Sequence, residues 1–382
     1  LAKAQEVLEE IPIRDIVSWN ALIAGYSQHE KGFEALRSFA GMQRDGLSPD
    51  GITFISILKA YGSTGAVDKG RQIHVQILST GLLEKNVVLG TALVDMYAKC
   101  GMLATAQEVL EELPDRDVVS WSALIAGYAQ EGQGLEAFNC FEQMQREGLS
   151  PNDVIFISLL KACGVMGSVD KGKQIHDEIV NRGLMEKNIS LGNALVDMYA
   201  KCGALAKAQE VLEELLARSV VSWNAIIAGY AQEERNHDAL NCFARMQREG
   251  FLPNEITFTC ILKACANIGA IDKGKQIHDQ IVTEGLLDQN TLLGTALVDM
   301  YAKCGALEKA HKVLDELPSR NVASWNALIS GYAQEGHFLE ALSCFKQIQR
   351  EGLSPNEVTF LCLLNACSHA GKFNEAQLYY EK

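Results

Sequence analysis

Four residues spaced 102 apart, Asn20, Ser122, Asn224 and Asn326, sit in nearly identical surroundings and switch only among small polar types. Thr91, Asn193 and Thr295 do the same at the same interval. So does a third set, which reads Asp50, Asp117, Asn152, Ser219, Asn254, Asn321 and Asn356 in chain order. A carboxylate only accepts hydrogen bonds, an amide donates and accepts, and a hydroxyl does either. Polar groups that vary against a constant frame suit the recognition of a partner's hydrogen-bonding edge. Two plainer roles stay open. Asp50, Asp117 and Asn152 stand where a helix N-cap belongs, and a polar residue in a first helical turn can simply face water. Nothing converges for catalysis: the chain has no nucleophile–base pair, Gly-rich phosphate loop or paired carboxylates at one place.

The other reactive types recur just as regularly. Cys100, Cys202 and Cys304 form one series, Cys140, Cys242 and Cys344 a second, and Cys163, Cys265 and Cys367 a third. With eleven cysteines and no C-x-x-C, this reads as small apolar core positions in a reducing compartment, and no metal site is expected. His74, His176 and His278 each stand alone in a recurring QIH, which speaks against a metal or catalytic role. Lys99, Lys201 and Lys303 close one recurrent helix, and Lys59, Lys161 and Lys263 lie inside another. They are candidates for phosphate contacts, or else favourable cations near a helix C-terminus. Glu111-Glu112 and Glu213-Glu214 read as the solvated face of second helices.

The elements that position these residues follow from the period. Trp19, Trp121, Trp223 and Trp325 mark a 102-residue unit made of three related segments. The first is 35 residues long (16–50, 118–152, 220–254, 322–356) and the second 36 (51–86, 153–188, 255–290, with a partial copy at 357–382). The third is 31 residues long (87–117, 189–219, 291–321), with residues 1–15 as the tail of another copy. Apolar residues in Val118–Tyr128 and again in Leu135–Met144 cluster at helical spacing, and Gln130-Glu131-Gly132 breaks the two runs. Each segment therefore reads as an antiparallel helical hairpin. A lone hairpin cannot bury both faces, so the hairpins stack. About 23 helices are expected in one all-α, right-handed superhelical solenoid of helix-turn-helix repeats with an inner groove and no linker.

Composition is compatible with this: 48% of residues are hydrophobic and only seven are Pro. No run of 18 apolar residues implies a membrane span. No signal or transit peptide is visible, since residue 1 already lies in helical sequence, as expected of a mature or excised chain. The formal charge of −14 is unusual for a phosphate-binding protein and restricts any nucleic-acid contact to a local surface.

The motifs VVSWNALIAGY, LLKACG…DKGKQIH and ALVDMYAKCG, on segments of 35, 36 and 31 residues, resemble the P, L and S repeats of the PLS subclass of plant pentatricopeptide repeat proteins. The resemblance covers essentially the whole chain, and the copies are as alike as those of a consensus-based or engineered array. It implies sequence-specific binding of single-stranded RNA in a chloroplast or mitochondrion, to mark a cytidine for C-to-U editing. The deaminase signature is missing, so the deaminase would act in trans or on a further domain. The chain itself would be no enzyme and need no cofactor.

By the same resemblance, the fifth and last residues of a P or S repeat read the Watson–Crick edge of one base. An Asp would accept from the central N–H of uracil or guanine, and an Asn or Ser would donate to the ring nitrogen of adenine or cytosine. Asn20/Asp50 then implies uracil, Thr91/Asp117 guanine, Ser122/Asn152 adenine, Asn193/Ser219 cytosine and Thr295/Asn321 adenine. Asn224/Asn254 and Asn326/Asn356 imply a pyrimidine. The L repeats carry Ile55, Ile157, Thr259 and Leu361 at position five, and the aliphatic ones should be silent; Thr259/Asn290 could favour adenine. The implied target is 5′-UNGANCYNAY-3′. Val17, Val88, Val119 and Val221, at position two, would wedge between bases. Small editing factors of the MORF, or RIP, family would dock on L repeats. The rival reading is a protein- or peptide-binding scaffold like the tetratricopeptide arrays, against which the mixed periods speak.

Overall fold

A computed structural model of the chain describes residues 1–83, 86–185, 188–287 and 290–371. Among the described residues are 22 α-helices and no strand. The second helix expected of the partial segment 357–382 falls outside the described residues. By internal packing the chain forms two compact units, Leu1–Met198 and Tyr199–Lys382.

In the first unit, α1 (Ala2–Glu10) precedes five helix pairs. These are α2 (Ile16–Gln28) with α3 (Gly32–Arg44), α4 (Gly51–Thr64) with α5 (Val67–Thr80), and α6 (Val87–Lys99) with α7 (Leu103–Glu112). The last two are α8 (Val118–Gln130) with α9 (Gly134–Arg146), and α10 (Asp153–Met166) with α11 (Val169–Asn181). α12 (Ile189–Lys201) runs across the border between the units. The second unit continues with α13 (Leu205–Glu214), α14 (Val220–Gln232), α15 (Asn236–Arg248), α16 (Glu255–Asn267) and α17 (Ile271–Thr283). It ends with α18 (Thr291–Lys303), α19 (Leu307–Glu316), α20 (Val322–Gln334), α21 (Phe338–Arg350) and α22 (Glu357–His369).

Each unit is an all-α solenoid with two layers. In the first, α2, α4, α6, α8 and α10 pack one on the next; in the second, α14, α16, α18, α20 and α22 do so. α3, α5, α7, α9, α15, α17, α19 and α21 each rest on their own first helix and on the first helix that follows. This division is written in the side chains. A first helix is covered on several sides, so α8 buries Trp121, Leu124, Ile125, Tyr128 and Ala129 around most of its girth. A second helix is covered on one side only, so α9 buries Ala137, Cys140, Phe141 and Met144 at i, i+3, i+4 and i+7.

Helix starts are set by capping. Asp15, Asp50, Asp117, Ser219, Asn254, Asn321 and Asn356 each form a capping box with the Ser or Thr three residues on. The break after α8 is closed by Gly132 at φ 73°, where a side chain would be strained. Close approach of first helices depends on Gly127: a Cβ there would lie 3.0 Å from the Cβ of Ala98 and 2.8 Å from Leu103.

Polar side chains tie neighbouring hairpins together. The Trp121 indole donates to Glu147 (3.1 Å), and Glu147 also pairs with Arg116 (3.3 Å). Tyr128 and Tyr230 donate to Gln107 and Gln209, both at 2.7 Å. The recurring histidines belong to this set: His74 Nδ1 meets the Tyr97 hydroxyl at 3.1 Å, and His278 meets that of Tyr301 at 3.0 Å. Burial lowers the pKa of both imidazoles, which favours the neutral ring in such a tie. Burial likewise pushes the Cys140 and Cys344 thiols up to about 12, so these behave as apolar fillers and not as nucleophiles. Among the described residues no group of His, Cys, Asp and Glu could hold a metal, and no helix is long and apolar enough to cross a membrane.

Candidate nucleic-acid interface

The recurring polar residues meet at the N-terminal ends of the first helices. The cap residue of one first helix lies beside a residue in the opening turns of the first helix before it. Five of the pairs read from the sequence, each within one unit, are hydrogen-bonded directly. Asn20 Nδ2 donates to Asp50 Oδ1 (3.0 Å), Asn224 Nδ2 to Asn254 Oδ1 (2.9 Å) and Asn326 Nδ2 to Asn356 Oδ1 (3.0 Å). Thr91 Oγ1 donates to Asp117 Oδ1 at 3.4 Å, and Asn152 Nδ2 donates to Ser122 Oγ at 3.1 Å. One pair differs. Thr295 turns its hydroxyl back onto the Thr291 carbonyl (2.8 Å), leaving Asn321 to cap α20 alone. Asn193 and Ser219 fall in different units, and Ser219 caps α14.

Capping and recognition do not compete, because a cap uses only one of the two side-chain atoms. Asp50 Oδ1 accepts from the Thr53 amide (2.9 Å), Asp117 Oδ1 from that of Ser120 (2.8 Å), and Asn254 Oδ1 from that of Thr257 (3.1 Å). Asn152, Asn321 and Asn356 cap through Oδ1 in the same way. The helix thereby fixes which atom is left over. Asp50 and Asp117 keep Oδ2, an acceptor; Asn254, Asn321 and Asn356 keep Nδ2, a donor. None of these leftover atoms is hydrogen-bonded among the described residues. Asn20 and Asn224 each keep a second amide N–H beside it. An Asn/Asp pair so offers a donor next to an acceptor, and an Asn/Asn pair offers two donors.

The Asp50 carboxyl is held ionised. Partial burial pushes its pKa up, but the Thr53 amide and hydroxyl and the Asn20 amide outweigh this and hold it below the ordinary carboxylate value. Five of the fifth residues, Asn20, Thr91, Ser122, Asn224 and Asn326, are buried and Asn193 and Thr295 half-buried, while the cap residues are half-buried or, at Asn356, exposed. A solvated first-turn role is thus set aside for these five.

One set of residues was missed in the sequence. Thr53 donates to Asn20 Oδ1 (2.7 Å) and Thr257 to Asn224 Oδ1 (2.6 Å), which turns each Asn so that its N–H groups face its cap partner. The signal was present as a covariation. Asn20, Asn224 and Asn326 are each followed 33 residues later by Thr53, Thr257 and Thr359, whereas Ser122 is followed by Ile155. At the last copy Thr359 bonds Asn356 instead, and Asn326 Oδ1 is buried without a partner among the described residues.

Val17, Val88, Val119 and Val221 stand one helical turn before the fifth residues, on the same face, and Val17 is 69% exposed. The same position in the 36-residue segments carries exposed Ile52, Val154, Ile256 and Val358, and Leu292 joins them; these extend the series beyond the four residues taken from the sequence. In the second unit an open groove of about 490 Å3 gathers Thr259, Thr295, Asn326 and Asn356 with Leu292 and Val358. Lys263 and Lys303 edge it. Lys99 and Lys303 are each paired to the Asp one turn earlier, Asp95 (2.7 Å) and Asp299 (2.8 Å). Exposed pairs of this kind are worth little and exchange readily for another anion. Lys201 ends α12 at the matching position.

Comparison with known proteins places this geometry. The PPR repeat family model matches residues 14–63, 116–165, 218–267 and 320–369. The PPR repeat model matches 91–118, 154–184, 193–220, 295–322 and 358–382. The chloroplastic pentatricopeptide repeat-containing protein At1g11290 of Arabidopsis thaliana is 40% identical over 369 residues, which is 97% of this chain and 45% of that protein. The mitochondrial pentatricopeptide repeat-containing protein At3g02330 of the same plant is 37% identical over 383 residues, covering 95% of this chain and 42% of its own length. The chain thus spans less than half the length of these two relatives. Among solved structures, the pentatricopeptide repeat protein PPR10 in complex with an 18-nt psaJ RNA element aligns with a TM-score of 0.71 at 18% identity, over 99% of this chain and 61% of that one. PPR10 from maize in a second structure aligns at 0.54 with 20% identity, over 100% of this chain and 66% of that one. At such identities the likeness is one of fold.

Proposed function

This chain belongs to the pentatricopeptide repeat family, and on that premise we propose that it binds single-stranded RNA sequence-specifically, one base to each P or S repeat. The observation that carries the reading is the leftover atom beside each cap. It is an acceptor where the cap is Asp and a donor where it is Asn, and it sits next to a buried fifth residue. Asn20 with Asp50 complements the donor and acceptor of a uracil edge, and Asn224 with Asn254 complements the two acceptors of cytosine. Asp117 suits the N–H of guanine; Asn152 and Asn321 suit the ring nitrogen of adenine.

Read in P, L and S order with the N-terminus toward the RNA 5′ end, the target is 5′-UNGANCYNAY-3′. The aliphatic residues at position two wedge between bases, and Lys99, Lys201 and Lys303 release their carboxylates to meet phosphates. The role within a plant organelle is to supply the address for C-to-U editing. The chemistry comes from a deaminase in trans or on a further domain, and a MORF/RIP factor docks on the L repeats.

The test is a gel-shift titration with 5′-UAGAACCAAC-3′, a permuted ten-mer and the matching DNA at two salt concentrations. Selective retention of the first RNA is expected. Equal retention of all three would sink the reading and leave a protein-binding scaffold.

Two further results are expected in the same assay. Val119→Ser, which trades an exposed apolar wedge for a polar group, should weaken every RNA alike by about 1 kcal/mol, without changing selectivity. A loss confined to one sequence would mean that Val119 reads a base. The preference for uracil over cytosine at the first base should be level as pH falls from neutral toward the carboxylate range, because the Asp50 carboxyl titrates below its ordinary value. As pH falls through that lowered value, the acceptor and the cap stabilisation are lost together. A preference that fades well above the ordinary value would show that Asp50 is not the acceptor.

A further inference from the structure

Away from the first-helix face, a second cavity opens between α1 and α3, with a volume of about 300 Å3 and the Trp19 ring on its wall. Its origin is one residue. At the matching place in α15 stands Arg245, whose guanidinium carbon lies 5.5 Å from the centre of the Trp223 ring. Arg245 donates to Glu213 (3.0 Å) and Glu249 (2.9 Å), so it spans from one second helix to the preceding one. At Arg245's place α3 has Gly41, while α9 and α21 have Gln143 and Gln347.

Most of the groups that meet the guanidinium have a counterpart here. Trp19 corresponds to Trp223, Glu9 to Glu213, and Asp45 to Glu249. Gln5 donates to Glu9 (3.1 Å) as Gln209 does to Glu213 (3.3 Å). Arg14 holds the Leu8 carbonyl and pairs with Asp45 as Arg218 holds that of Leu212 and pairs with Glu249. The ring has moved over the bare backbone: a Cβ at Gly41 would lie 2.6 Å from it. Asp45 spends Oδ2 on the Trp19 indole and on Arg14, and Oδ1 carries no hydrogen bond among the described residues.

We infer that this pocket is a receptor for an arginine side chain of a partner protein, whose guanidinium takes the place that Arg245 fills from within the chain in the later repeat. The planar fork would stack on Trp19 and donate to Glu9 and Asp45 Oδ1. Lysine fits less well, since its ammonium is a compact, strongly hydrated point charge that neither stacks flat nor presents a planar fork. The guanidinium carbon of Arg14 already lies 6.0 Å from the centre of the Trp19 ring, so the incoming fork shares that ring with it, and a second cation opposes the ligand. Arg37, where α15 has Asn241, is exposed on the rim, and Glu34 one turn earlier only partly offsets its charge. Arg44 also lines the pocket, but α15 keeps it as Arg248, so it is compatible with a bound guanidinium.

The experiment follows the indole N–H resonances of the full chain while N-acetyl-arginine methylamide is added. Trp19→Phe assigns the Trp19 signal, and the citrulline and lysine analogues serve as controls. A saturable shift of the Trp19 resonance with the arginine analogue alone is expected, with Trp121 and Trp325 unmoved. Glu9→Gln, an exposed change, should raise the apparent Kd about tenfold, and Arg37→Asn should lower it several-fold. RNA selectivity should be unchanged in both variants, so failure here and failure of RNA recognition are told apart. Equal response to citrulline, a response shared by all indoles, or no effect of Glu9→Gln overturns the proposal.

Discussion

Asp117→Asn is expected to move the preferred third base of the target from guanine to adenine. The substitution leaves the cap in place, because Asn321 caps α20 at the corresponding position with the same atom. It changes only the leftover atom, from an acceptor to a donor. A hydrogen bond involving a charged group is worth about 1.5–3 kcal/mol, so preference should swing by roughly 10- to 100-fold. Competition between 5′-UAGAACCAAC-3′ and 5′-UAAAACCAAC-3′ measures it directly. The melting temperature supplies the control, since an Asn cap is about as good as Asp. If both RNAs weaken equally while the fold is intact, Asp117 contributes charge and not recognition. If preference for guanine persists, Thr91 alone or a neighbouring group decides the base.

Trp223→Ala should be the most destabilising single change among the aromatic residues of the second unit. The side chain is fully buried, and removing a buried Trp typically costs about 3–5 kcal/mol. In a stack of hairpins each repeat is held only by its neighbours, so the loss interrupts the array locally and does not spread evenly. Denaturation followed by circular dichroism should show an earlier transition, and limited proteolysis should cut first between α13 and α16. Trp223→Phe separates packing from hydrogen bonding. The Trp223 indole N–H has no partner among the described residues, because Arg245 draws Glu249 away, whereas the Trp121 indole donates to Glu147. The Phe variant should therefore cost less at Trp223 than at Trp121. The opposite order would show that the buried N–H of Trp223 is satisfied in solution.

The architecture was legible from the sequence because a repeat states each rule several times. Helical spacing of apolar residues, breaks such as Gln130-Glu131-Gly132, and cap residues every 31 to 36 positions all fall where the helices begin and end. The same copying exposed the variable polar positions, since Asn20, Ser122, Asn224 and Asn326 stand out only against a frame that does not change. Those are local properties of the chain, fixed by short-range sterics and hydrogen bonding.

What the tertiary structure alone decided are matters of which atom faces which. That Asp50 spends one oxygen on the Thr53 amide and keeps the other depends on how α4 starts against α2. That Thr53 and Thr257 orient the Asn residues, while Thr359 bonds only its own cap, is decided by which hydroxyl meets which amide across first helices in contact. Thr295 satisfied its hydroxyl within its own helix, a competition that spacing does not reveal. The pocket beside Trp19 is likewise a tertiary fact. Only the packing of α1, α2 and α3 places Gly41 under the Trp19 ring and leaves a cavity beside it where the later repeat has the Arg245 guanidinium. Sequence periodicity sets which residues share a face, but hydrogen-bond partners are chosen across helices, by distances that only packing sets.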